Sequence, residues 1–216
     1  MMKEKERKIM KKTNNKGFSL VELIIVIAIM AILAGAIAPA LIKYIDKSRK
    51  SNDVSSAKTI KTAIETALGT ESVYETLTNT TGVTKVVVLP GKTTAAEGAA
   101  NGAANGAGTT AVKLYNCTKP DEAATFEECA KAIGTNIGEK SPKVKYKKQI
   151  NTEGEKGSDI TPGAFVAYIT PGGTVYVCIA DGDGTGTSVK CDVNGSGIPK
   201  FSKCAPLAPE VCKGYQ

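Results

Sequence analysis

Three groups of side chains in this chain could do chemistry. The first is a single acid, Glu22, near the start of a long apolar run. An ionised carboxylate there is costly unless something pairs with it. The second is a set of six cysteines, Cys117, Cys129, Cys178, Cys191, Cys204 and Cys212, all beyond that run. None forms a C-x-x-C pair and the chain has no His, so zinc is poorly supported. Disulfides in an oxidising, extracytoplasmic compartment fit better. Sequence does not choose the pairing; local pairs are expected, with Cys117–Cys129 first because a short helix fits between them. The third is the loop DGDGTGTSVKCD, in which Asp181, Asp183, Gly186 and Asp192 fall at positions one, three, six and twelve of a calcium loop. Thr185 stands where Asp or Asn is usual and Asp192 where Glu would give two oxygens. With only part of the ligand pattern met, a Gly/Asp-rich turn between two strands is the stronger reading. No other cofactor is indicated. With no His, scattered carboxylates and no phosphate or dinucleotide motif, an enzyme is not expected.

The elements that must position these groups begin with the apolar run itself. Leu23–Ile42 is twenty residues without a charge, about 30 Å of helix and about the thickness of a bilayer core. Residues 1–17 carry five of the seven net positive charges. Such a basic flank stays on the cytoplasmic side and puts the C-terminal body outside. The concentration of charge in a leader also weakens a nucleic-acid-binding reading. Aromatics are only 5% and there is no Trp, so a very large core is not expected.

A plain N-terminal anchor and a secretory signal peptide both fit a basic flank before an apolar run. "AGAIAPA" offers a signal-peptidase site after Ala38. Against the signal peptide, the run is long and Glu22 sits in its first part. The residues "KGFSLVE", Lys16 to Glu22, resemble the type IV prepilin signature. In that family, which includes the pilins and the pseudopilins of secretion systems, a dedicated peptidase cuts between Gly and Phe. The resemblance assigns Gly17 to the residue before the cut and Phe18 to the new, N-methylated terminus. Glu22 becomes the fifth mature residue, where the family carries its glutamate. Pro39 becomes the twenty-second, where many members carry a helix-kinking proline. The motif covers residues 16–42 only. It implies that Glu22 pairs with the Phe18 amine of a neighbouring subunit and sets the axial register of assembly. A start at Met10 instead of Met1 would leave an eight-residue leader.

Beyond the span, DVSSAKTIKTAIETALGT places Val54, Ala57, Ile60, Ala63 or Ile64, and Ala67 or Leu68 on one helical face. Gly69 is a helix stop. Pro39, with Gly35 nearby, should bend the helix. Residues 91–110, GKTTAAEGAANGAANGAGTT, read as an exposed flexible loop. Strands are expected at Thr84–Pro90 and Ala111–Cys117, and a short helix over Pro120–Gly134, with Ala123, Phe126, Cys129 and Ile133 on one face. Lys143–Ile150 alternates and is basic on one side, as an edge strand would be. Gly163–Ala180 is the clearest hairpin, with Phe165, Ala167 and Ile169 facing Val175, Val177 and Ile179 across a Pro-Gly-Gly turn. Short strands at SVKCDV and PKFSKC complete the chain.

The expected fold class is α+β: a long kinked N-terminal helix on a small antiparallel sheet, with disulfide-stapled C-terminal loops. The domains would be a leader at 1–17 and a helix over 18–69, apolar in its half 18–45 and amphipathic over 46–69. A globular domain follows at 70–216, with its helix-to-sheet loop over about 70–110. The resemblance implies a fibre subunit, made at the cell membrane as a prepilin and then built into an extracellular filament for adhesion, surface motility or DNA uptake. It also implies a prepilin peptidase, an inner-membrane assembly platform with its ATPase, and further pilin subunits as partners. A pseudopilin of a type II secretion or competence system is the alternative within the class. A secreted binding domain released by signal peptidase is the alternative outside it.

Overall fold

A computed structural model of the chain describes residues 17–78, 83–92, 107–108, 111–116, 126–151, 159–182, 192–193, 199–200 and 204–216. They fall into two compact units, divided between Ile45 and Asp46. The first unit is the apolar half of helix α1 (Leu20–Leu68), a helix that contains Pro39 and continues through it. From Leu20 to Ile45 every side chain is exposed. With no charge after Glu22 until Lys43, the segment is long and apolar enough to cross a membrane, with a mean hydropathy of 2.9 over its best window.

In the second unit α1 presents Asp53, Ala57, Ile60, Ala63, Ile64 and Ala67 to the interior. The expected stripe is there, but it is anchored on Asp53; Val54 is only half-buried. The helix stops at Leu68, where the Gly69 and Thr70 amides bond back to Thr66 and Ala67 carbonyls. A second helix, α2 (Glu71–Thr78), follows at once and buries Val73 and Leu77, inside the stretch expected as loop.

The sheet has six strands in the order β10-β7-β6-β1-β3-β2, all antiparallel. They are β1 (Thr84–Val88), β2 (Ala107–Gly108), β3 (Val112–Asn116), β6 (Pro162–Ile169), β7 (Val175–Asp181) and β10 (Cys204–Ala208). The hairpin pairs as expected, Phe165 with Ile179, Ala167 with Val177 and Ile169 with Val175. Its turn closes through the Gly173 amide on the Thr170 carbonyl, with Gly173 at φ +77°. One face of the sheet packs Val86, Leu114, Phe165, Ala167 and Val177 against Ala57, Ile60 and Ile64 of α1. Burying each such Ile contributes about 1.5–3 kcal/mol. The other face is buried too, with Val87, Val166, Tyr168, Cys178 and Cys204 packed together. Of the low-complexity stretch, Ala107–Gly108 pairs with β3 and the bulk lies outside the described residues.

Two expectations are corrected, and a third is met in part. Helix α3 (Glu127–Ile137) passes through a buried Gly134 and ends at Gly138, φ +107°, while Phe126, Cys129 and Ile133 do share its buried face; Ala123 lies outside the described residues. Residues 143–149 form no strand; only Ile150–Asn151 does, as β4, paired with β5 (Asp159–Ile160). The short strands expected in SVKCDV and PKFSKC are present where those segments are described, as β8 (Asp192–Val193) and β9 (Pro199–Lys200), paired in a separate small sheet, while Cys204 opens β10 of the main sheet; residues 188–191 and 201–203 lie outside the described residues.

Candidate assembly site

At the start of the first unit, Gly17, Phe18 and Ser19 precede the helix in non-helical conformation, and Phe18 is 88% exposed. Ser19 is the helix cap. Its Oγ accepts from the Val21 amide at 3.4 Å, and its own amide donates to Glu22 Oε2 at 2.9 Å. This is a variant of the S-x-x-E capping box: the acid at the third helical position reaches back to the cap amide, while the cap hydroxyl meets the second helical amide instead of the third. The carboxylate also sits at the positive end of the helix dipole. Glu22 therefore has a local partner within its own chain. The signal, Ser19 three residues before Glu22, is plain in the sequence but is masked by the stronger apolar pattern. Gly17, Phe18 and Glu22 come together in six residues of exposed chain; Pro39 is farther along the same helix. Lys16 lies outside the described residues.

The second unit is organised around a carboxylate that the periodic stripe did not reveal. Asp53 is fully buried. Its Oδ1 accepts from the Lys145 amide at 2.7 Å, and its Oδ2 from the Tyr146 amide at 2.9 Å and the Tyr215 hydroxyl at 3.0 Å. Three donors satisfy a charge that would otherwise be prohibitive in a core. Helix α1 thus holds residues 144–148 alongside itself without a strand ladder. Lys148 pairs with Asp46, and the Lys50 ammonium lies 5.3 Å from the centre of the Tyr146 ring. Burial, then the charge of Asp53, pushes the Tyr215 hydroxyl well above its ordinary range.

A third cluster lies on the far face of the sheet. Cys178 of β7 and Cys204 of β10 are neighbouring buried thiols, with Tyr168 Oη 3.7 Å from Cys204 Sγ. A hydrogen bond from Cys178 lowers Cys204, helped by Tyr168 and the nearby Lys85 charge, while burial opposes it. Burial pushes Cys178 up. It also lowers the Lys85 ammonium, which occupies a buried position on the central strand. Cys129 is buried on α3 and Cys212 is half-buried before the C-terminal 3-10 turn (Lys213–Tyr215); these four cysteines are thiols in the structure. Cys117 and Cys191 lie outside the described residues, and with them the expected Cys117–Cys129 bridge.

Asp181 ends β7, and its Oδ1 accepts from the Thr161 amide at 2.8 Å, with Gly182 following at φ +61°. Asp183, Thr185 and Gly186 lie outside the described residues, and of Asp192 only the backbone is described, in β8.

Comparison with known proteins bears on the N-terminus. The family described as the prokaryotic N-terminal methylation motif matches residues 12–38. The type IV major fimbrial protein FimA of Dichelobacter nodosus is 46% identical over 57 residues, 26% of this chain and 36% of that protein. Fimbrial protein Q of Moraxella bovis is 49% identical over 53 residues, 24% of this chain and 34% of that protein. The chain therefore spans about a third of the length of the curated relatives it matches. No solved structure gives a significant match.

Proposed function

We propose that this chain, which is similar over its N-terminal helix to type IV fimbrial proteins and matches the prokaryotic N-terminal methylation motif, is in its mature form a structural subunit of a type IV pilus. A prepilin peptidase removes residues 1–17 and leaves Phe18 as the methylated N-terminus. The subunit waits in the membrane by the apolar half of α1 and is then drawn by the assembly platform into a surface filament, where those helix halves pack together. Adhesion, surface motility or DNA uptake would be the filament's work. The pilins are structural proteins, and no catalytic role is assigned.

The observation that carries this reading is the exposure of the whole apolar half of α1, capped at its tip by Ser19 and Glu22. An apolar surface of this extent needs lipid or other helices around it. In the membrane the capping box satisfies Glu22 locally. In the filament the new Phe18 amine of a neighbour competes for the same carboxylate, so a register-setting pair can form without stranding a charge at any stage.

The test is mass spectrometry of the mature N-terminus from the native host, with electron microscopy of sheared surface material. Methyl-Phe18 and filaments containing the chain are expected. A retained initiator methionine would overturn processing, and a terminus near Pro39 would instead support release by signal peptidase. Methyl-Phe18 without surface filaments would favour a pseudopilin.

A further inference from the structure

The second unit carries two exposed faces of opposite charge. The first is a cationic ridge. Lys143, Lys145 and Lys147 alternate with Val144 and Tyr146, which are buried, so the three lysines project from one side of an extended segment. Alternate residues of an extended chain are about 6.6 Å apart. Among the described residues none of the three is paired with a carboxylate, whereas Lys148 is neutralised by Asp46 and is left out of the ridge. The second face is on α2. Glu71, Tyr74 and Glu75 are exposed and share one side of that helix by their spacing of three and four. The helix carries no cation, and neither acid is paired among the described residues. The helix start accounts for Glu71, but not for Glu75 a turn later. Among the described residues of this unit, Tyr74 is the only exposed large apolar side chain, at 42%. Its ring is held against the β6–β7 turn, where a Cβ on Gly173 would meet it at 3.1 Å.

We propose that these faces meet between copies of the chain, the ridge of one subunit docking on Glu71, Tyr74 and Glu75 of the next. This rests on the reading of the chain as a filament subunit. The occupant is a second copy because the chain supplies both halves of a charge-complementary pair. Carboxylates one helical turn apart have their Cβ atoms about 5–6 Å apart, close to the spacing of the lysines, so two ion pairs form in register. The third ammonium then has the Tyr74 ring to lie over. A polyanion would also match the lysines, but it leaves the acids and the aromatic of α2 without a role. The two faces lie apart within one chain. Asp53 pins the ridge to α1 through the Lys145 and Tyr146 amides. The helix then runs fifteen residues further to Leu68 before α2 begins, about 22 Å. Two different faces at opposite ends of that stretch join copies head to tail, and such a contact propagates instead of closing into a dimer. One exposed ion pair contributes little. Repetition at every subunit makes the set count, and salt loosens it.

The test is zero-length crosslinking of sheared filaments from the native host. A carbodiimide activates a carboxylate, takes up the water and leaves a direct amide between Glu Cδ and Lys Nζ. Mass spectrometry is expected to recover peptides joining Lys143, Lys145 or Lys147 to Glu71 or Glu75. The detergent-solubilised subunit should not give them. Lys145→Glu with Lys147→Glu should lower the yield of sheared filaments severalfold, and so should Glu71→Lys with Glu75→Lys, with melting temperatures checked. The chain carrying all four reversals should recover to within about twofold of the parent. Filaments that contain the chain but lack this crosslink would overturn the proposal. So would four reversals that assemble no better than either pair alone while melting like the parent. A lysine variant that assembles normally but is no longer retained on immobilised heparin would also overturn it, because the ridge would then serve a polyanion. A host whose filaments never contain the chain would overturn the pilus reading itself, and this contact with it.

Discussion

The Tyr215 hydroxyl donates to the Asp53 carboxylate at 3.0 Å, joining residues 162 positions apart. Tyr215→Phe keeps the ring against Tyr146, 5.8 Å between centroids, and removes one of three donors to a buried charge. A loss of about 1–3 kcal/mol in unfolding free energy is expected, by urea or thermal denaturation. An unchanged stability would mean that the two backbone amides suffice.

The same contact has a pH signature. The folded chain holds the Tyr215 proton above the ordinary tyrosine value of 10.0, whereas the unfolded chain releases it there. The stabilisation is complete below that pH and is lost as pH rises toward the folded value. Stability should therefore fall at alkaline pH, and less steeply in Tyr215→Phe. Parallel curves for the two proteins would remove Tyr215 as a source.

Glu22→Ala is expected to leave membrane insertion intact and to reduce filament assembly severalfold, scored by sheared-filament yield. Ser19→Ala, which weakens only the cap by about 1 kcal/mol, should assemble better than Glu22→Ala. Normal assembly of the glutamate variant would end the register role.

The adjacent sulfurs of Cys178 and Cys204 are expected to be joined in protein secreted into an oxidising compartment. Peptide mapping without reductant should recover this pair, and Cys178→Ala should lower stability by about 3 kcal/mol. Recovery of both as alkylated thiols, or with other partners, would contradict it.

A Cβ on Gly163 would lie 1.7 Å from the Gly182 carbonyl oxygen, at the irregular start of β6, whereas one on Gly172 would meet nothing nearer than 4.0 Å. Gly163→Ala should cost about 1–3 kcal/mol or more, and Gly172→Ala should fall within about 0.5 kcal/mol of the parent. Equal melting temperatures for the pair would refute the close approach.

What could be read from the sequence was local and periodic. The α1 stripe and the Phe165–Ile179 hairpin announce themselves because each residue's neighbours repeat the same pattern at 3.6 or 2. Lys143–Ile150 shows the pattern of a strand and its burial, with Val144 and Tyr146 inside. Its hydrogen-bond partner, however, is a carboxylate on α1, ninety-two residues away for Lys145. No local rule reveals that. Gly134 misled because a glycine buried on the packed face of a helix can continue it, and the helix ends instead at Gly138, whose φ of +107° favours glycine. At the candidate site Gly17, Phe18 and Glu22 could be named from the motif. The cap by Ser19 was legible as S-x-x-E but hidden under the apolar pattern, whereas the pairing of Asp53 required coordinates.

The dependence of residue 53 on residue 215 also sets an order of events in biogenesis. The acid is synthesised early, and its last donor follows 162 residues later. Until then the pocket is missing a wall and a proton donor. A chain interrupted before that tyrosine keeps the Lys145 and Tyr146 amides on its buried acid but lacks the third donor.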